Sequence, residues 1–182
     1  MRRIALALAL VLAGTLLAAP PSTAVPLATS DRPYLAQYRQ PDRTVCIQIK
    51  TGRTWLLNKV KSAEAHIDSK TDVSTWVSSS CSGNKIKIYA GYYGKSWRNY
   101  SRASTTLWVS NGVITRAETY INLSYDATGS AGDYAIRHEI AVHGLLGTRH
   151  GSCGSLAYYK WSGGCARSYL TSDVIKAINW TY

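Results

Sequence analysis

The sequence contains no phenylalanine, and its single methionine is the first residue. Aromatic packing therefore falls to 6 Trp and 13 Tyr, each with a polar atom that needs a partner when buried. Acids are few: 10 Asp+Glu stand against 21 Lys+Arg in 182 residues, a formal net charge of +11. Histidine is scarcer still, with four. The 5 Pro and 14 Gly are too few for a collagen-like or low-complexity chain, and 46% apolar residues suffice for one domain with a core. The lack of any repeat of roughly 20–50 residues argues against a solenoid or propeller.

Long apolar runs are absent after Leu17. Met1-Arg2-Arg3 precedes an Ala/Leu/Ile/Val-rich stretch from Ile4 to Leu17, and Ser22-Thr23-Ala24 forms an A-x-A-like cleavage site. Residues 1–24 are thus expected to be a signal peptide, too short for the about 20 apolar residues of a stable membrane span. A secreted, extracellular protein follows. Its removal takes Arg2 and Arg3 and no acid, leaving 19 basic against 10 acidic residues and a net +9. The bases are scattered from Arg32 to Lys176, unlike the dense stripe of a nucleic-acid arm, so no nucleic-acid partner is expected. Solubility and weak attraction to anionic surfaces account for the charge.

Four cysteines in an oxidising compartment predict two disulfides, with three possible pairings. Cys153 and Cys165 bracket a Gly- and Ser-rich stretch and suit a short loop, which leaves Cys46 with Cys81. Neither pair is a C-x-x-C, so a four-cysteine zinc site is disfavoured.

Residues 25–42 contain Pro26, Pro33 and Pro41 without periodicity and read as an extended N-terminal arm before a domain at 43–182. Thr44–Lys50 alternates as a strand, and Trp55, Leu56, Lys59, Val60, Ala63 and Ile67 have helical spacing over 54–68. Further strands are expected at 73–79, 85–92 and on either side of Asn111-Gly112, a hairpin signal whose second arm runs to about Leu123. Ser130-Ala131-Gly132-Asp133 has capping-box spacing for a helix from about 131, with Gly147 as its left-handed stop. A loop at 153–168 and a closing helix at 171–180 complete the outline. The order fits α+β or α/β with a mixed sheet.

Three of the four histidines fall in His138-Glu139-Ile140-Ala141-Val142-His143-Gly144-Leu145-Leu146-Gly147-Thr148-Arg149-His150. Two imidazoles near one helical turn apart can reach one ion, a third can come from beyond the helix end, and Glu139 can take a proton from the attacking water. His66, on the first helix, reads as a surface or half-buried residue.

This segment resembles the HExxHxxGxxH signature of the metzincin metallopeptidases, specifically over residues 130–165. The small secreted chain with late strand, signature helix and short C-terminal helix is similar to matrixin- and snapalysin-type proteases. The resemblance implies a zincin-like α+β fold, Zn2+ held by His138, His143 and His150, and Glu139 as catalytic base. Three positions depart from the pattern. His138 and His143 are five residues apart rather than four, which on an α-helix leaves them about 140° apart. They can share one ion only if the helix absorbs a residue, most simply as a π-bulge. His143 to Gly147 is also one residue longer, and Gly144 lies in that interval. Ala157 stands where the family has its Met, and Tyr159 two residues on is a candidate for catalysis.

The implied function is a secreted, monomeric zinc endopeptidase acting on a protein or peptide substrate, with the strand near Arg116–Leu123 as the edge that receives it. The alternative is an inactive metzincin-like binding or inhibitory module; a cell-wall amidase would use similar ligands. No run of Asp and Gly marks a calcium loop.

Overall fold

The computed structural model describes residues 37–182 apart from 99, 100, 149, 160, 162 and 163. The expected signal peptide and most of the expected arm lie outside the described residues. Five strands and three α-helices appear in the order β1 (Thr44–Ile49), α1 (Thr54–Asp68), β2 (Ser74–Ser78), β3 (Lys85–Gly91), β4 (Ala103–Ser110), β5 (Val113–Asn122), α2 (Ser130–Arg137) and α3 (Ser172–Thr181). Between α2 and α3, residues His138–Leu145 continue the chain as a π-helix. The class is α+β, with a mixed sheet as expected.

The sheet runs β2-β1-β3-β5-β4. The first four strands are parallel neighbours, and β4 joins antiparallel to β5 through a hairpin. Asn111 (φ 50°) and Gly112 (φ 75°) turn that hairpin, both in the left-handed region that a type I′ turn requires. Alternation then sorts the side chains. Ile86 and Ile88 of β3 are fully buried, with Ala117 and Ile121 of β5 beside them, while Lys85, Lys87 and Tyr89 lie on the other face. The buried face meets Leu56, Val60, Ala63 and Ile67 of α1, and Ile136, Ile140 and Leu145 of α2 and the π-helix, in one core cluster.

One expectation about the sheet is overturned. The strand 116–123, expected to be an edge, lies between β3 and β4 and is paired on both sides. On that side β4 is the end strand among the described residues, because the hairpin folds back outside β5. The capping box at Ser130 is also not formed: the helix starts from Gly129 with no side-chain cap, and Asp133 instead pairs with Lys59 of α1 at 2.6 Å. A partly buried cation on the neighbouring helix outcompetes the local backbone amide. His66 is half-buried, as expected.

Both disulfides have the expected pairing, Cys46–Cys81 and Cys153–Cys165. Gly147 takes φ 53°, the left-handed stop expected after the signature helix. A Cβ added there would meet Tyr38 Cβ at 2.9 Å and Leu107 Cδ1 at 3.1 Å. Gly147→Ala combines a disfavoured backbone conformation with that crowding, and is expected to lower unfolding stability by about 1–3 kcal/mol in a urea titration.

Candidate metal centre

Residues 138–145 have the hydrogen-bond register i→i+5, in which residues five apart stack along the axis. His138 and His143 are therefore brought onto one face, and their Nε2 atoms lie 3.1 Å apart. His150, three residues after the Gly147 turn, stacks its ring on that of His138 with centroids 5.3 Å apart and an 18° tilt. One ring nitrogen from each of the three histidines lies within 4.8 Å of the others, close enough to hold a metal ion. The extra residue in the signature is absorbed by the helix type.

Each of the first two rings is oriented from behind. His138 Nδ1 lies 2.7 Å from the Leu156 carbonyl and His143 Nδ1 lies 3.1 Å from the Thr148 carbonyl. A carbonyl oxygen only accepts, so in the neutral rings Nδ1 carries the proton and Nε2 presents a lone pair. Burial, with the nearby His143, holds the His138 pKa well below the ordinary 6.5, which favours that neutral form. Two lone pairs 3.1 Å apart repel each other unless a cation lies between them. The edge of a tetrahedron with zinc–nitrogen arms of about 2.0–2.1 Å is about 3.3 Å, so the donor pair fits such an ion.

Glu139 is almost fully buried, and its Oε2 accepts a 2.6 Å hydrogen bond from the Thr105 hydroxyl. Thr105 faces Thr119 across the β4–β5 ladder, and the two hydroxyl oxygens are 2.7 Å apart. Burial raises the Glu139 pKa, opposed by His143 and by the Thr105 bond. A cleft of about 640 Å³ opens over these groups, with residues 101–105, leading into and along the start of β4, on one side and Tyr134, Tyr159 and Trp161 on the other. Tyr159 is 59% exposed on the rim, its ring 6.2 Å from that of His150. Ala157 is fully buried.

The groups that sequence reasoning missed are those contributed by tertiary structure. Thr105 reaches Glu139 across 34 residues, and the carbonyls of Leu156 and Thr148 come from backbone whose side chains are not involved. Tyr134 donates from α2 to the Tyr158 carbonyl, next to Tyr159. Only the Thr105–Thr119 pairing had a trace in the sequence, as two polar residues in the inward positions of a hairpin.

Thr105→Val removes the hydroxyl that donates to the buried Glu139 carboxylate. In metal-free protein it is expected to cost about 1–3 kcal/mol at pH 7 by denaturant titration. The sign with pH follows from the raised pKa of Glu139: its burial penalty is present while the group is ionised and disappears once it is protonated. The loss is therefore expected to shrink as pH falls through the raised pKa of Glu139, before the ordinary carboxyl range is reached.

No protein-family profile matches the chain, and no curated protein does. Among solved structures, that of myroilysin is similar over 81% of this chain and 83% of its own, with 12% sequence identity and a TM-score of 0.49.

Proposed function

We propose that the chain is a secreted zinc-dependent endopeptidase. The observation that carries the reading is the convergence of three imidazole nitrogens beside a buried carboxylate, in a cleft bounded by the end strand β4. His138, His143 and His150 would hold zinc, whose three-nitrogen set leaves a position open to water and substrate. When bound, zinc supplies Lewis-acid chemistry, polarising the scissile carbonyl and acidifying water. Glu139 takes the proton from the attacking water on its carboxylate and passes it to the leaving amine nitrogen. Thr105 keeps that carboxylate in place through Oε2. Tyr159, on the rim of the cleft, would donate its phenolic hydrogen to the oxygen on which negative charge develops.

The substrate edge is β4 rather than the strand first expected. An extended peptide laid along Ala103–Thr106 would add a strand beside β4, the end strand on that side among the described residues, and its scissile bond would face Glu139. The two disulfides suit an extracellular protein, and among the described residues no helix is long and apolar enough to cross a membrane. The reading also includes removal of residues 1–24, a net positive monomer, and no nucleic-acid partner.

The test pairs elemental analysis of the purified protein with a casein assay. One zinc per chain is expected. Glu139→Gln should retain the metal and lose about 10²–10⁴-fold in turnover. One zinc with no turnover in either protein would point to the binding-module alternative, and no zinc would sink the metal site altogether. The Glu139→Gln protein also allows the substrate edge to be located. A bound, uncleaved peptide should slow amide hydrogen exchange across 103–106, and unchanged exchange there would remove β4 from the mechanism.

A further inference from the structure

We infer that Gln40 and Tyr182 are positioning residues of the metal centre, forming with Tyr38 a clasp on the carbonyl end of the π-helix that sets where His143 and His150 stand. The inference rests on the reading of His138, His143 and His150 as ligands. It adds that the N-terminal arm and the residue following α3 act on them.

A helix with i→i+5 bonds ends with more orphan carbonyls than an α-helix, and in a buried end each needs a donor. Two are satisfied locally. His143 O accepts from Gly147 N at 2.9 Å and Val142 O from Thr148 N at 3.3 Å. The next three take donors from far away in the sequence. Gly144 O accepts from Gln40 Nε2 at 2.7 Å, Leu145 O from the Tyr182 hydroxyl at 2.8 Å, and Leu146 O from the Tyr38 amide at 2.8 Å.

The donors are themselves tied together. The Tyr182 hydroxyl oxygen accepts the Gln40 amide at 2.8 Å while donating to Leu145, so one hydroxyl bridges arm and helix. Gln40 is 2% exposed, so its carboxamide is shielded from bulk solvent. Arg39, between the two arm donors, accepts from the Ile114 amide at 2.7 Å and so fastens the arm to the start of β5. A Cβ on Gly144 would stand 2.6 Å from Ile86 Cδ1, so this end of the helix is pressed on β3 and cannot yield in that direction.

The clasped carbonyls lead directly into the ligands. His143 lies one residue before Gly144, and its Nδ1 is held by Thr148 O, two residues after Leu146. His150 lies two residues further on. A shift of Gly144–Leu146 therefore moves the support of one ligand and the root of another, while His138, held by Leu156 at the other end, stays.

The experiment measures zinc affinity by competition with a chromophoric chelator, and the visible spectrum of the cobalt-loaded protein. It compares wild type, Tyr182→Phe, Gln40→Met, and Val73→Ala as a buried control immediately before β2. Tyr182→Phe and Gln40→Met are expected to weaken zinc binding by about tenfold each and to alter the cobalt bands. Val73→Ala should lower the melting temperature and leave affinity and spectrum as in wild type. Wild-type affinity and spectrum in both clasp variants would overturn the inference, as would an equal loss of affinity in Val73→Ala. Should Tyr182→Phe fail to fold, Gln40→Met alone decides. A wild-type protein that binds no zinc would overturn the ligand reading instead, an outcome distinct from a failure of the clasp.

Discussion

In an α-helix His138 and His143 would point about 140° apart and share nothing. The i→i+5 register of residues 138–145 narrows that angle enough to bring the two rings together, and the convergence of the three histidines depends on it. A π-helix is rare because its extra residue per turn is held by poorer local packing and leaves more carbonyls unpaired at its end. This one is stabilised from outside. Ile140, Ala141, Val142 and Leu145 are fully buried against the sheet and helices, so the segment is anchored by apolar contact over its whole length. Its terminal carbonyls are met by donors from both flanks of the fold. The register is a tertiary property more than a local one.

The sheet does the second half of the positioning. Had β4 continued the parallel series, its hydroxyl-bearing residues would have met β5 in a different register. The hairpin at Asn111-Gly112 sets Thr105 opposite Thr119, on the face that meets the π-helix, and so brings a hydroxyl to Glu139. The same antiparallel return makes β4 the last strand on that side of the sheet among the described residues. One turn therefore fixes both the orientation of the carboxylate and the end strand beside it.

Much of this was legible from residue patterns. The helix at 54–68, the strands near 44–50 and 85–92, the hairpin turn and the Gly147 stop all follow from periodicity or from backbone conformations open to few residues. The π-helix was legible in a different way, as the simplest means of bringing two histidines five residues apart onto one face. Strand order was not legible. Nothing in Arg116–Leu123 says that a neighbour will cover its second side, because both an edge and an interior strand of a mixed sheet can alternate. Asp133 was misread for a related reason: the capping pattern is local, while its Lys59 partner is 74 residues away. Gln40 and Tyr182 were invisible for the same cause, since a carboxamide and a phenol carry no pattern until a buried carbonyl needs them.

The turn around the fully buried Ala157 is held by polar bonds. Ser155 Oγ donates to Asp173 at 2.6 Å and accepts the Ala157 amide at 2.9 Å, while Thr171 Oγ1 accepts the Leu156 amide at 3.1 Å. Ser155 and Thr171 are both buried, where unmatched polar atoms are costly and matched ones rigidify. Leu156, at the centre of that network, is the residue whose carbonyl orients His138. Thr171 and Asp173 at the start of α3 thus fix the backbone whose carbonyl lies against His138.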